Sequence, residues 1–390
     1  VASAIAPDPG GAGPAAEPGL LLVGAGHAHL EVLRRLAAAR PPGLAVHLVS
    51  ADERHYYSGM VPGYLAGAYG EEEISFHLPT LAAATGVPFV VGRAAGIEPR
   101  ARVVQLADGT ALAYRLVSFN LGSLTAASET PGVKQHAALL KPFDRVRALR
   151  RRMDDLARRR DGERAAVCVV GGGAAGVEIA FALAAVLDRA GRPREVTLVE
   201  AGERILAGYS RRFAALARRV LAARGIAVLA GCPVAAVEAG GVLLADGSRR
   251  PCDLTVWLTG AAAPPLFRHA GLPTDGAGYL LVDESLRCPG RPEIHGAGDC
   301  VTLAAHPDTP KAGVYAVREG PLLHRSLLAA LAGGEPPRYR PQRSFLSLLN
   351  TCDGRALVRY KGFVGHGRWA WWLKDRIDRR FMARYRAARR

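Results

Sequence analysis

The stretch "VCVVGGGAAGVEIAFAL", residues 167–183, decides the fold. An apolar run of strand length meets the three glycines Gly171, Gly172 and Gly173, and an apolar run of helical length follows. Such a loop suits a dinucleotide. A tight glycine turn lets backbone N–H groups approach a pyrophosphate, and the helix N-terminus adds about half a positive charge. A further glycine, here Gly176, lets helix and strand pack closely. The next strand, "VTLVE", ends in Glu200, 24 residues past Gly176, near the distance at which an acid meets a ribose 2′-hydroxyl. A carboxylate there repels a 2′-phosphate, so NADH is expected in preference to NADPH. Arg204, four residues on, works against that preference.

The same order occurs earlier in the chain. "LLLVGAGHAHLEVL" gives a strand, the loop Gly24-Ala25-Gly26-His27 and a helix, with "LAVHLVS" as the second strand. "LVSADER" (48–54) matches "LVEAGER" (198–204), and "LADGT" (106–110) matches "LADGS" (244–248), where Asp-Gly predicts a hairpin turn. Each copy then runs into a strand ending in glycine, at Gly122 and Gly260. The intervals 122 − 109 and 260 − 247 both equal 13. Order and spacing together imply two related α/β units with parallel sheets. In the first copy His29 stands at the third-glycine position and Ser50 at the acid's position. His27 and His29 have no third metal ligand at suitable spacing, so no metal is expected.

Between the units, "RVRALRRRMDDLARRR" places Val146, Leu149, Met153 and Leu156 on one face and predicts a connecting helix with a solvated basic side. Past the second unit, "GYLLVDESL" and "PEIHGAGDC" read as strands completing the first sheet, which makes the second unit an insertion. A strand ending at Gly298-Asp299 can set a carboxylate beside a polyhydroxyl chain such as the ribityl of a flavin. "PKAGVYAVREGPLLHRSLLAAL" predicts a helix from near Gly313, with Gly320-Pro321 kinking or dividing it. The expected domains are a flexible leader (1–18), a discontinuous first unit (19–160 and 266–335), the inserted second unit (161–265) and a C-terminal segment (336–390).

Composition narrows the remaining classes. The 390 residues carry a formal charge of +16, but the arginines are spread along the chain without a stacking platform or zinc-finger spacing, so nucleic acid is not expected. The window 166–187 contains three consecutive glycines and Glu178, and suits a buried strand and helix better than a membrane span. The leader lacks the basic start and apolar run of a secretory signal, and the six cysteines form no close pair, so a cytoplasmic protein with reduced thiols is expected.

The order "VGAGHAH", "NLGS", "VVGGGAAGVEIA", "LVE", "WLTG", "GAGDC" and "PKAGVYAVREG" resembles the pyridine nucleotide-disulfide oxidoreductase superfamily, above all the branch of type II NADH dehydrogenases and sulfide:quinone oxidoreductases. "YYSGMVPGYLAGAY" and "WAWWLKDRIDRRFMARY" further resemble the flavoprotein module found fused ahead of selenide, water dikinase. The resemblance implies two Rossmann-like domains, an NAD domain inserted in an FAD domain. It places Gly24, Gly26 and His27 in the FAD loop, Gly122 close to that cofactor and Asp299 on ribityl, with Lys311, Ala312 and Gly313 at the isoalloxazine. It places NADH on Gly171, Gly173, Gly176 and Glu200 with Gly260 beneath, and turns Glu178 toward the nicotinamide. Glu178 and Lys311 are the ionisable groups expected to border the flavin. The superfamily's paired redox cysteines are absent from "SADERHYYSGM", which argues against a disulfide reductase.

The implied reaction passes hydride from NADH to FAD and electrons onward to an acceptor, with quinone the first choice. Two alternatives stand beside it. Cys300 and Cys352 would handle sulfide, polysulfide or a selenium species in one. The other is a flavin-holding protein whose redox state alters its partners. In the tail, Trp369, Leu373, Ile377, Phe381 and Tyr385 recur four apart among basic residues. That helix is expected to lie on a membrane surface, at the inner face of the cell membrane, to cover the protein's own core, or to meet a second copy in a homodimer.

Overall fold

The computed structural model describes residues 19–159 and 162–386; the expected leader lies outside the described residues. Two parallel sheets dominate, and four strands of each share one order. The first runs Arg291–Gly296, Leu116–Phe119, Leu20–Val23, Val46–Ser50, Phe89–Val91, with Arg287–Cys288 antiparallel at its edge. The second runs Ala137–Ala138, Leu254–Trp257, Ala165–Val170, Arg194–Glu200, Ile226–Ala230. In each, the strand that enters the glycine loop is flanked by the next strand and by the one ending toward Gly122 or Gly260. Leu20–Val23 is buried throughout, as a parallel strand covered on both faces must be.

The duplication extends to the hairpins. Ala94–Glu98, Val103–Leu106 and Ala111–Ala113 form an antiparallel trio, as do Val234–Glu238, Gly241–Leu244 and Arg249–Pro251. Both Asp-Gly turns sit between the second and third strands, and the first pair of each trio shifts register at an equivalent place, Ala94/Gly96 and Val234/Ala236.

Three expectations need correction. Arg291–Gly296 joins the first sheet, but Leu280–Val282 pairs instead with Val301–Leu303 in a separate two-stranded sheet. Pro321 does not divide its helix, which runs unbroken over Gly313–Ala332. Gly320 instead allows a close crossing with the helix His27–Ala38, since a Cβ at that position would lie 2.7 Å from the Glu31 Cβ. The apolar row of the tail helix, Arg368–Arg386, splits in two: Trp369 and Ile377 are exposed while Phe381 and Tyr385 are buried. Residues four apart drift about 40° per step around a helix, so five such positions cannot share one face.

The connecting helix Phe143–Arg158 buries Val146, Leu149, Met153 and Leu156 as its pattern predicts. The chain ends in the antiparallel strands Ser347–Asn350, Ala356–Tyr360 and Phe363–Gly367, against which the tail helix packs.

Candidate functional site

The two glycine loops are built alike. Gly171 has φ +110°, and a Cβ there would lie 2.3 Å from the Leu258 carbonyl oxygen; Gly24 has φ +89°, and a Cβ there would lie 2.5 Å from the Asn120 carbonyl oxygen. Two residues past each of those contacts stands a glycine with positive φ, Gly260 or Gly122, with nothing within 4 Å of the place a Cβ would take. Each loop therefore presses against the end of its neighbouring strand and leaves open space beside it. Only a residue without Cβ fits these backbone shapes without strain.

In the second loop Gly173 precedes the helix Ala174–Arg189 and faces open space. A Cβ on Gly176 would fall 1.8 Å from the Gly171 oxygen, so the third glycine is a packing requirement. Glu200 reaches back to the loop: Gly172 N–H donates to its Oε2 at 2.6 Å and Gly202 N–H to its Oε1 at 2.7 Å. The Arg204 guanidinium donates to the carbonyls of Leu206 and Tyr209, both at 3.1 Å, and Ala207 at 2.5 Å. Its donors are thereby turned inward, away from competition with Glu200.

The first loop closes differently. His29 is fully buried; its Nδ1 lies 2.6 Å from the Gly24 oxygen and its Nε2 2.8 Å from Ser118 Oγ. A nitrogen beside a carbonyl must carry the proton, so Nδ1–H donates to Gly24 and Nε2 accepts from Ser118. Burial lowers the His29 pKa to about 4, which keeps the ring neutral. The imidazole thus joins helix to strand at the carbonyl corresponding to the one Gly176 packs against. Ser50, at the other departure, has its carbonyl accepting from Gly92 N–H at 2.8 Å.

Asn120, part of "NLGS", organises this side. Its Oδ1 accepts from the N–H groups of Ala28 at 3.0 Å and His29 at 3.3 Å, and its Nδ2 donates to the Ala297 carbonyl at 2.7 Å. Gly26 and Gly298 make room for that amide, since a Cβ on either would lie 2.2 Å from Oδ1 or 2.7 Å from Nδ2. One side chain so ties the first loop to the turn holding Asp299. Its position in the second copy is Leu258; a polar residue ending an apolar strand was the available signal.

Around Asp299 the charges converge. Burial pushes its carboxyl above the usual range, opposed by Lys141 and Lys311. Lys141 donates to Ser123 O at 2.9 Å and Ser123 Oγ at 3.1 Å, next to Gly122. Lys311 is directed at the strand Val301–Leu303, donating to Val301 O and, at 2.9 Å, to Thr302 Oγ1. Ala312 is the N-cap of the long helix and Gly313 its first residue. His27 reaches that point: a Cβ on Gly313 would lie 3.3 Å from His27 Nε2.

Two features were not expected. Glu319, deep in the long helix, accepts from Gly298 N–H at 2.6 Å, and burial pushes its pKa up to about 7. His27 and His55 sit with ring centroids 5.1 Å apart beside Tyr57 and Phe381, and burial lowers their pKa values to about 4 and about 3. His27 Nδ1 and His55 Nε2 are buried with no hydrogen-bond partner among the described residues.

Glu178 turns toward the tail. Its Oε1 accepts from Asn350 N–H at 2.7 Å, and burial raises its pKa to about 7 against the pull of Lys374. Lys374 donates to Asp378 Oδ2 at 2.9 Å and Gly59 O at 2.8 Å, while Tyr57 OH donates to Asp378 Oδ1 at 3.2 Å. This buried pair lies on the inward side of the tail helix, with Trp369 and Ile377 outside. Cys300 and Cys352 sit in unreactive surroundings: burial pushes the Cys300 thiol up to about 12 and raises that of Cys352 as well. A nucleophilic thiol requires the opposite shift.

Several known proteins are similar to this chain. The sulfide:quinone oxidoreductase of Aquifex aeolicus superposes with TM-score 0.81 at 17% identity, covering 95% of this chain and 91% of that one. Bacillus subtilis YutJ, an NADH dehydrogenase-like protein, is 21% identical over 347 residues, 89% of this chain and 94% of that protein. Demethylphylloquinone reductase NdbB of Synechocystis sp. is 33% identical over 142 residues, 36% of this chain and 34% of that protein, so the match spans about a third of that relative's length. The sequence profile of the pyridine nucleotide-disulphide oxidoreductases matches residues 19–320, and with its two like sheets and two like glycine loops the chain belongs to that family.

Proposed function

We propose that the chain is an FAD-dependent NADH:quinone oxidoreductase. The observation that carries this reading is the paired cradle: two sheets that share a four-strand order, each with a closed glycine loop and an open positive-φ glycine beside it. The residues fit the two groups. The open faces of Gly122, Gly173 and Gly260 leave room for cofactor. The unpartnered nitrogens of His27 and His55, each costing about 1–3 kcal/mol when buried alone, call for a polar partner beside the first loop. A quinone acceptor accords with the name of NdbB, and the raised thiol pKa values weigh against sulfide or selenium chemistry at Cys300 or Cys352.

When bound, FAD would accept the hydride of NADH and return electrons to the acceptor. The chain's own work is orientation. Glu200 would take the adenosine ribose, and with Arg204 engaged by three carbonyls the carboxylate favours NADH. Asp299, steadied by Lys141 and Asn120's hold on its turn, would take ribityl, and the helix starting at Gly313 would offset negative charge on the reduced ring. Glu178 and Lys374 would hold protons at the tail side of the site. The tail helix exposes Trp369, Trp372 and Ile377 beside Arg368 and Arg376, chemistry suited to lying on a membrane surface, where a lipid-soluble quinone is found.

The test is direct. The purified protein is expected to be yellow, to bleach anaerobically with NADH faster than with NADPH, and to regain colour on adding a quinone. Recovery with polysulfide alone would transfer the assignment to the thiol reading. Bleaching without recovery by any acceptor would favour a redox-responsive binding protein.

A further inference from the structure

The tail carries an open groove of about 550 Å³ where the turn at Asp353, Gly354 and Arg355 meets the start of the tail helix. Arg355, Arg368, Trp369, Trp371 and Trp372 line it. The one carboxylate there is already engaged, since Asp353 accepts from Thr351 Oγ1 at 2.6 Å and pairs with Arg224 at 3.3 Å. The Arg355 and Arg368 guanidiniums have no hydrogen-bond or ion-pair partner among the described residues. A concave site with two uncommitted forks and a neutralised acid is set for an anion.

The walls say which anion. Trp369 and Trp372 are 52% and 58% exposed, Phe363 lies with its ring centroid 6.1 Å from that of Trp369, and Tyr360 and Ile377 are exposed as well. Arg376 lies 5.5 Å from the Trp372 ring centroid and Lys361 5.4 Å from that of Tyr360. Indoles flanked by cations match the headgroup level of a bilayer, where an amphipathic ring meets both hydrocarbon and water. A free phosphate ion would use the arginines and leave the indoles in water. A phospholipid uses both.

We propose that this groove binds the headgroup phosphate of an anionic phospholipid through Arg355 and Arg368, with Trp369 and Trp372 against the glycerol and upper acyl chain. The claim rests on the membrane-surface reading above and adds a specific site to it. The protein's overall charge of +16 draws it toward an anionic surface, but a general field does not single out two arginines.

Co-sedimentation of the whole flavin-loaded protein with vesicles tests this, using phosphatidylglycerol mixed with phosphatidylcholine against phosphatidylcholine alone. The double variant R355A/R368A is compared with R151A/R152A, which removes equal charge from exposed positions of the connecting helix. We expect R355A/R368A to lose about tenfold or more in binding to the anionic vesicles, from roughly 1 kcal/mol per arginine at the surface. The control pair should lose no more than about twofold, and thermal midpoints should be unchanged. W369A/W372A should weaken binding to both vesicle types. Equal losses in the two arginine variants would overturn the site, as would wild-type binding that ignores phosphatidylglycerol. Displacement from vesicles by millimolar inorganic phosphate would reduce it to a small-anion site and overturn the lipid claim. Failure of the wild type to bind either vesicle would sink the membrane reading along with the groove.

Discussion

Replacing Asn120 with alanine tests the construction of the first cradle. The side chain makes three buried hydrogen bonds, to Ala28 N–H, His29 N–H and the Ala297 carbonyl. Alanine leaves two amides at a helix start without partners and takes the stronger of two donors from the Ala297 carbonyl, which keeps only the Cys300 thiol at 3.3 Å, in a pocket that Gly26 and Gly298 keep narrow. Loss of a helix cap costs about 1 kcal/mol, and each buried group left unsatisfied costs about 1–3 kcal/mol. Water entering the gap would recover part of that, so a loss of about 3 kcal/mol is expected. Urea unfolding of the variant and parent would measure it, and desalting followed by a flavin spectrum would show whether FAD is retained. The variant should be less stable and shed flavin, because the loop and the Asp299 turn are no longer tied. A stability loss under about 0.5 kcal/mol with flavin fully retained would refute the role given to Asn120.

Other outcomes follow from the same geometry. Gly176→Ala should abolish bleaching by NADH while leaving the protein yellow, because its Cβ would strike the Gly171 oxygen; Gly173→Ala, facing open space, should keep the parent's thermal midpoint. Glu200→Ala should raise the KM for NADH about tenfold with a smaller change in kcat, read from initial rates, as a ribose hydrogen bond is lost. The Glu319 pKa is raised to about 7 in the fold, so the native state binds the extra proton: that contribution to stability is full below about pH 4.5 and is lost as pH rises toward 7. Glu319→Gln should therefore gain stability relative to the parent between those limits in pH-dependent unfolding, and a parallel pair of curves would contradict this.

Much of the architecture was legible because the repeat lies in local signals: glycine loops, Asp-Gly turns and strand-end glycines at matched spacing. The apolar strands and the connecting helix followed from periodicity. What stayed hidden was tertiary. His29 is an irregularity in the motif until its ring is seen reaching Gly24 O and Ser118. Asn120 acts across 91 and 177 residues of chain, a distance no local pattern spans. The tail's four-apart row did not show which of its residues face inward, because helical drift carries Phe381 and Tyr385 to the buried side with Lys374 and Asp378 while Trp369 and Ile377 stay exposed. Pro321 interrupts no helix, and the neighbouring glycine serves a helix crossing that only the packed structure reveals.

The central claim is that the two cradles bring a nicotinamide and a flavin together for hydride transfer. Anaerobic stopped-flow bleaching with NADH and with NADH deuterated at the transferring C4 position measures that step alone. The account predicts a single-turnover bleaching phase that slows severalfold with deuterium and disappears in Gly176→Ala. A flavin that bleaches without an isotope effect in a chemistry-limited phase, or does not bleach with NADH at all, would contradict it.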